Sequence, residues 1–210
     1  MSIASDARFW DRTSRKYAKG VIADQAGYQR TLERTRALLR SSDKVLELGC
    51  GTGTTALKLA GDVRDYLATD VSTGMIAIAE EKRAADPVQS LVFRTATAEE
   101  LMPDASFNTV LGFNYLHLVR DLPGTLRTIH ALLVADGVFI SKTPCVGEMN
   151  PLIRLAVPAM RAVGLAPYAG IFRAAELSQQ ISAAGFDILA SENHATKGNG
   201  NRPFIVARKR

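Results

Sequence analysis

The chain has 210 residues, 47% hydrophobic and 22% charged, with a formal net charge of +5 and a pI near 9.4. That length suits one domain with additions and supplies ample material for a core. Two cysteines so far apart, Cys50 and Cys145, make no disulfide framework and match no metal-ligand spacing, so no metal site is expected.

The opening MSIASDARFW lacks the apolar stretch of a secretory signal, and no apolar run reaches the roughly 20 residues that cross a bilayer. The expectation is a soluble, cytoplasmic protein. The basic excess is crowded into the two ends, from Arg8 to Lys19 and from Lys197 to Arg210, while the middle is nearly balanced. Such ends read as solvated surface or as a match for a phosphate-bearing partner. No nucleic-acid-binding signature accompanies them, so a nucleic-acid partner is not expected.

Residues 1–40 form a helical cap, with Tyr28, Leu32 and Leu39 near helical spacing before the SSD break at 41–43. Strands and helices then alternate. Apolar strands are predicted at 44–48, 66–70, 91–95, 108–113 and 138–142, and helices at 54–60, 74–85 and 122–133. Repeated β-α units with apolar strands imply a parallel sheet covered on both faces, and right-handed crossovers make it doubly wound. The alternating core is therefore assigned to 41–145.

Regularity breaks at 147–173, where prolines and glycines interrupt long apolar side chains. This insert reads as an inserted cap, a lid making an apolar pocket. It also reads as a surface dipping into lipid with Arg154 and Arg161 at the head groups, a peripheral membrane contact that the prolines disfavour. A final unit, 174–210, holds a helix at 174–184 closed by Gly185 and a strand pair at 186–191 and 204–208, joined by a polar turn at 198–201.

The chemistry is concentrated in VLELGCGTGTTALKLA. A buried strand runs into Gly49-Cys50-Gly51-Thr52-Gly53, and Thr54 stands where the dinucleotide fingerprint has its third glycine. Glu47 is the one charge in that strand, two residues before the turn. Beside a pyrophosphate it would repel; beside an ammonium or sulfonium it would attract. A cationic, nucleoside-bearing ligand therefore fits better than NAD. Asp70 ends the second strand, where a carboxylate accepts from both ribose hydroxyls or, alternatively, caps the helix beginning near Ser72.

The stretches ELGCGTG, ATDVSTGMIAIAE, FRTATAEELMPDASFNTVLGFNYLHLV and LLVADGVFISKTP together resemble the class I S-adenosylmethionine-dependent methyltransferases. The likeness is to the type 11 kind found in ubiquinone and menaquinone biosynthesis. It implies an α/β, Rossmann-like fold with a mostly parallel seven-stranded sheet, an N-terminal helical extension and a helical insert after strand five. It also implies S-adenosyl-L-methionine as cofactor and a small-molecule methyl acceptor.

Carried onto this sequence, the resemblance gives Glu47 the methionine amino group and Asp70 the ribose. The backbone of Gly49, Cys50, Gly51 and Gly53 passes under the ligand, and Val71 and Met75 pack on the adenine. Thr97 stands where the family commonly has an acid for the adenine amino group, with the Ala98 N–H beside it. Asn114 lies at the methionine end. Tyr17 either closes over the cofactor or packs on Trp10.

Methyl transfer is an in-line displacement from an already activated leaving group, so alignment is the main requirement and a base is needed only when the acceptor must lose a proton. His117 is the candidate base, with orientation of its own loop as the alternative. His130 reads as structural or solvent-facing, and His194 as a possible substrate contact. Lys142 and Thr143 leave strand five toward the acceptor side, where the lysine meets an anionic group or solvent.

Overall fold

The computed structural model describes residues 3–149, 160, 166–196 and 200–210. Seven strands form one sheet: β1 (Lys44–Leu48), β2 (Asp65–Asp70), β3 (Leu91–Thr95), β4 (Phe107–Phe113), β5 (Leu133–Lys142), β6 (Phe186–Glu192) and β7 (Phe204–Lys209), in the order β3-β2-β1-β4-β5-β7-β6. β1 to β5 are parallel, and β7 enters antiparallel between β5 and β6. The order reverses at β1 and β4, the switch point at which sheets of this kind open a crevice.

The central strands lack a polar face because both sides are covered. Consecutive residues of one strand enter opposite cores, Val45 and Leu46, Val110 and Leu111, Phe139 and Ile140, Ile205 and Val206. On one side lie α5 (Leu122–Leu132) and α6 (Ala174–Ala183), contributing Leu126, Ile129, Leu177 and Ile181. On the other lie α2 (Gln25–Arg36), α3 (Thr54–Leu59) and α4 (Thr73–Ala85), contributing Leu32, Ala56, Leu59 and Ala79.

The predicted strands and helices all form, with differences at their ends. β5 starts at Leu133, directly on leaving α5, rather than at 138. The Ala135-Asp136-Gly137 stretch looks like a turn in the sequence, but the strand carries it as an irregularity. Pairing steps from Phe107 with Leu133 to Thr109 with Val138, and Asp136 takes a φ of +58°. The helical cap is two helices, α1 (Ile3–Ala18) and α2, separated around Gly20. Gly185 closes α6 with a φ of +98°, as expected of a C-terminal glycine.

α1 lies along α4. The Asp11 carboxylate accepts from Ser72 Oγ at 2.6 Å and from the Gly74 N–H at 2.9 Å, while Arg15 makes a two-pronged pair with Glu81 at 2.7 Å. At its start Asp6 accepts from Arg120 at 2.6 and 2.9 Å. The insert leaves and re-enters at one point, where the Gly147 N–H donates to the Phe172 carbonyl at 3.0 Å and the Ala174 N–H to Glu148 at 2.9 Å. Most of 147–173, with both the lid and the lipid-surface readings, lies outside the described residues, as do 198–199 of the polar turn. Among the described residues no helix is long and apolar enough to cross a membrane.

Candidate active site

A cavity of about 2010 Å³ opens where the parallel strands end. This exceeds the ~300–1,000 Å³ of ordinary small-molecule sites and leaves room for two ligands. Every parallel strand delivers residues to it: Glu47 to Thr52 after β1, Asp70 and Val71 after β2, Ala96 to Glu99 after β3, Asn114 and Tyr115 after β4, Lys142 and Pro144 after β5. α1 and α2 supply the facing wall.

The loop after β1 is shaped by glycines in the left-handed region. At Gly49 (φ +68°) a Cβ would stand 2.7 Å from the Tyr115 ring, so the aromatic side chain rests directly on the backbone. At Gly53 (φ +73°) a Cβ would stand 2.5 Å from Phe93 and 2.8 Å from Ala79. The side of Gly53 on which a Cβ would stand faces β3 and α4. Gly53→Ala should therefore cost about 2–4 kcal/mol from backbone strain plus overpacking. Denaturant unfolding would read that loss. Ligand affinity of the remaining folded protein should stay within about threefold, because nothing on the cavity side changes.

Thr54 acquires a reason at the same place. Lys82, on α4, donates to Thr52 O at 3.0 Å, to Thr52 Oγ1 at 2.9 Å and to Thr54 Oγ1 at 2.9 Å, tying the back of the loop to α4. Where a dinucleotide loop has glycine, this one has a hydroxyl that accepts a lysine. Lys82 is not recognisable in the sequence, since nothing in a helical lysine announces a partner thirty residues away.

Asp70 holds the front. Its carboxylate accepts the Gly51 N–H and the Ser72 N–H, each at 2.9 Å. Ser72 itself is the N-cap of α4, accepting from the Met75 N–H at 3.1 Å, so the capping alternative for Asp70 does not hold. Burial pushes the Asp70 carboxyl up, and the two backbone donors pull it back down. Both oxygens retain a lone pair for a ligand hydroxyl.

Glu47 is 3% exposed and lines the cavity. The buried Tyr66 hydroxyl donates to its Oε2 at 2.8 Å. Desolvation is the larger influence and pushes the carboxyl up to about 8, with Asp70 adding to the rise. A carboxyl in this setting is neutral at pH 7 until a cation joins it. Tyr28, bonded to Thr55 at 3.2 Å, feels the same charge.

The remaining predicted residues come together with these. Tyr17, Cys50, Val71, Met75, Thr97, Ala98, Asn114 and His117 all line the cavity. The Tyr17 ring stands edge-on to Trp10 at 5.9 Å, and its Cε1 lies 3.8 Å from where a Gly51 Cβ would be. Thr97 caps a short 3-10 turn with its side chain while its N–H donates to Glu100 at 2.7 Å. Asn114 takes a φ of +52° and is pinned by its N–H to Lys142 O at 2.7 Å. Cys50 is buried, and burial pushes its thiol up, away from reactivity.

His117 Nδ1 is buried with no hydrogen-bond partner, and burial followed by the Arg202 charge pushes the imidazole down to about 4. The ring is therefore neutral at physiological pH. The other two histidines are structural. His130 stands edge-on to Phe186 at 5.3 Å. His194 is 6% exposed, stacked at 4.5 Å on Phe204 and bonded to Thr31 and Glu192, so the substrate-contact reading is set aside. Lys142 is neither free nor solvent-facing: it donates to Thr31 Oγ1 at 2.8 Å on α2. Among the described residues no cluster suits a metal ion.

Tyr115, Asp11 and Arg202 escaped the sequence. Tyr115 had a signal, an aromatic side chain following Asn114 in GFNYLHL; the others show only through the fold.

Residues 18–191 match the family described as a methyltransferase domain. Among curated proteins, the zebrafish (Danio rerio) mitochondrial arginine-hydroxylase NDUFAF5 is 30% identical over 167 residues, 76% of this chain and 50% of that protein. Uncharacterized methyltransferase YcgJ of Bacillus subtilis is 29% identical over 150 residues, 67% of this chain and 59% of that protein. The chain thus spans about half the length of the curated relatives it matches. Among solved structures, magnesium protoporphyrin IX methyltransferase from Synechocystis with bound SAH superposes with a TM-score of 0.71 at 19% identity, covering 98% of this chain and 95% of that one.

Proposed function

From a chain that belongs to the methyltransferase-domain family, of the class I S-adenosylmethionine-dependent kind, we propose methyl transfer from S-adenosyl-L-methionine to a small, partly apolar molecule. The observation that carries the cofactor reading is Glu47, a buried carboxyl facing the cavity with no cation beside it among the described residues. An ammonium is what that position lacks, and a pyrophosphate is what it would repel. The glycine loop and Asp70 suit a ribose and an amino-acid tail, and Val71 and Met75 suit an adenine face.

When bound, the cofactor supplies an electrophilic methyl carbon on sulfur: the acceptor's lone pair forms the new bond as the carbon–sulfur bond breaks and its electrons stay on sulfur. The protein's part is chiefly alignment, worth up to ~7–11 kcal/mol in favourable cases. Tyr115 and Asn114, held against Gly49 and Lys142 O, fix the floor on which both ligands meet. For an acceptor that must shed a proton, His117 is the side chain at the cavity that would receive it, and it is neutral across the physiological range.

The walls support a small, partly apolar acceptor: Phe9, Trp10, Ile22, Tyr28, Phe113 and Pro144 supply apolar surface, interspersed with basic residues such as Arg12, Arg120 and Arg202. A curated relative carries the name of a hydroxylase, so the decisive experiment separates binding from transfer. Calorimetric titration with S-adenosylmethionine should give binding in the micromolar range and NAD none. Incubation with methyl-labelled cofactor and small aromatic or aliphatic acceptors should then move label. Binding of NAD in place of S-adenosylmethionine would sink the reading.

A further inference from the structure

The cavity's acceptor side holds positive charge that the described residues do not neutralise. Arg120 is taken by Asp6. Lys142 has neutral partners, Thr31 Oγ1 at 2.8 Å and Gly27 O at 3.4 Å, and Asp24, the carboxylate that bears on it, is occupied by the Gly27 N–H and by Thr196. Arg202 lines the cavity with an exposed side chain that makes no hydrogen bond or ion pair among the described residues.

Arg202 is nonetheless mounted on fixed backbone. The Cys145 N–H donates to Asn201 O at 2.9 Å on one side, and the Thr143 N–H to Pro203 O at 3.4 Å on the other. Pro203 restricts the chain further. The result is a guanidinium whose base is clamped to the segment after β5 and whose fork is unoccupied among the described residues. Tyr17, His117, Lys142 and Arg202 all line the same cavity. His117 contributes the buried, unpartnered Nδ1.

We propose that the acceptor carries an anionic oxygen group, carboxylate or phosphate, gripped by Arg202 with Lys142 behind it, so that the atom to be methylated faces His117. The guanidinium fork matches two oxygens of either group. Because the Arg202 side chain is exposed at the cavity, salt should weaken the attraction. The apolar walls take the body of the molecule and the cation reads one end, which fixes orientation at little entropic cost. This inference rests on the methyl-transfer reading for its orientation but not for its anchor.

The test uses the full chain and three probes: 4-hydroxyphenylacetate, its neutral amide and phenyl phosphate. Each is titrated calorimetrically into protein with and without S-adenosylhomocysteine. The acid or the phosphate should bind at least tenfold more tightly than the amide, and the better of the two identifies the group. Arg202→Gln should erase that preference, and Arg202→Lys should keep part of it. Equal binding of acid and amide, no binding of either anion at millimolar concentration, or a preference untouched by Arg202→Gln overturns the proposal. So does a tenfold loss of S-adenosylmethionine affinity in Arg202→Gln that disappears with decarboxylated S-adenosylmethionine, since the arginine would then read the cofactor's own carboxylate. An anion preference that persists in protein unable to bind S-adenosylmethionine upholds the anchor and removes the methyl-transfer reading instead.

Discussion

Replacing Asp70 with alanine should raise the dissociation constant for S-adenosylmethionine at least a hundredfold, to the point where calorimetry detects no heat. Two hydrogen bonds from ribose hydroxyls to a carboxylate are worth about 1.5–3 kcal/mol each, and both go. The loss is compounded because the same carboxylate holds the Gly51 and Ser72 N–H groups. Without it these donors lose their partner, and the glycine loop keeps only its backbone tie to β2, the Cys50 N–H on the Thr69 carbonyl. The melting temperature should fall too, by about 2–8 °C for about 1–2 kcal/mol in a chain of this size. A variant that binds cofactor within threefold of the parent would remove Asp70 from the site.

Glu47→Gln should act in opposite directions on binding and stability. The amide keeps the shape and the acceptor oxygen for Tyr66 but cannot ionise, so affinity for the cationic cofactor should fall about tenfold to a hundredfold at pH 8. The ligand-free protein should become more stable in alkaline solution. The native carboxyl titrates near 8 and the unfolded one near 4.5, so between those values the folded state binds the extra proton. Its stabilising contribution is complete below 4.5 and disappears as pH rises through 8. Glutamine has no such loss, and thermal melts at pH 9 should show the variant above the parent by a margin absent at pH 5. The same linkage predicts that cofactor binding at pH 7 releases close to one proton, with affinity rising toward pH 8 and falling again above it as the cofactor's own α-ammonium loses its proton. Titrations in buffers of different ionisation enthalpy measure that proton directly. No proton release would mean that Glu47 does not meet the ammonium.

The sheet was readable because buried parallel strands leave a strong trace: short apolar runs, the first ended by a glycine and the second by a carboxylate. The site was readable where backbone conformation demands a residue type, as at Gly49, or where a lone charge interrupts an apolar strand, as at Glu47. Gly53 shows the limit. Its spacing marks it as a member of the loop, but only the packing of Phe93 and Ala79 reveals which way a side chain there would point. Lys142 shows another. Strand position directs it toward the acceptor side, while the Thr31 hydroxyl that captures it belongs to a helix more than a hundred residues earlier. Arg202 was one basic residue in a basic tail until the antiparallel β7 carried it to the cavity. Local sequence records what a backbone needs, and long-range pairing decides which side chains are left unsatisfied.

α1 has a consequence for traffic through the cavity. This helix forms part of the wall, yet Ser14 is its one fully buried residue. What fastens it to the body is ionic and polar: Asp6 with Arg120, Asp11 at the start of α4, Arg15 with Glu81. Fastenings of this kind weaken as dissolved ions accumulate, whereas the apolar sheet beneath does not. The gate and the frame therefore answer to different solvents. Rising ionic strength should quicken entry and exit of the cofactor well before it disturbs the fold, making turnover in such an enzyme a function of the salt around it.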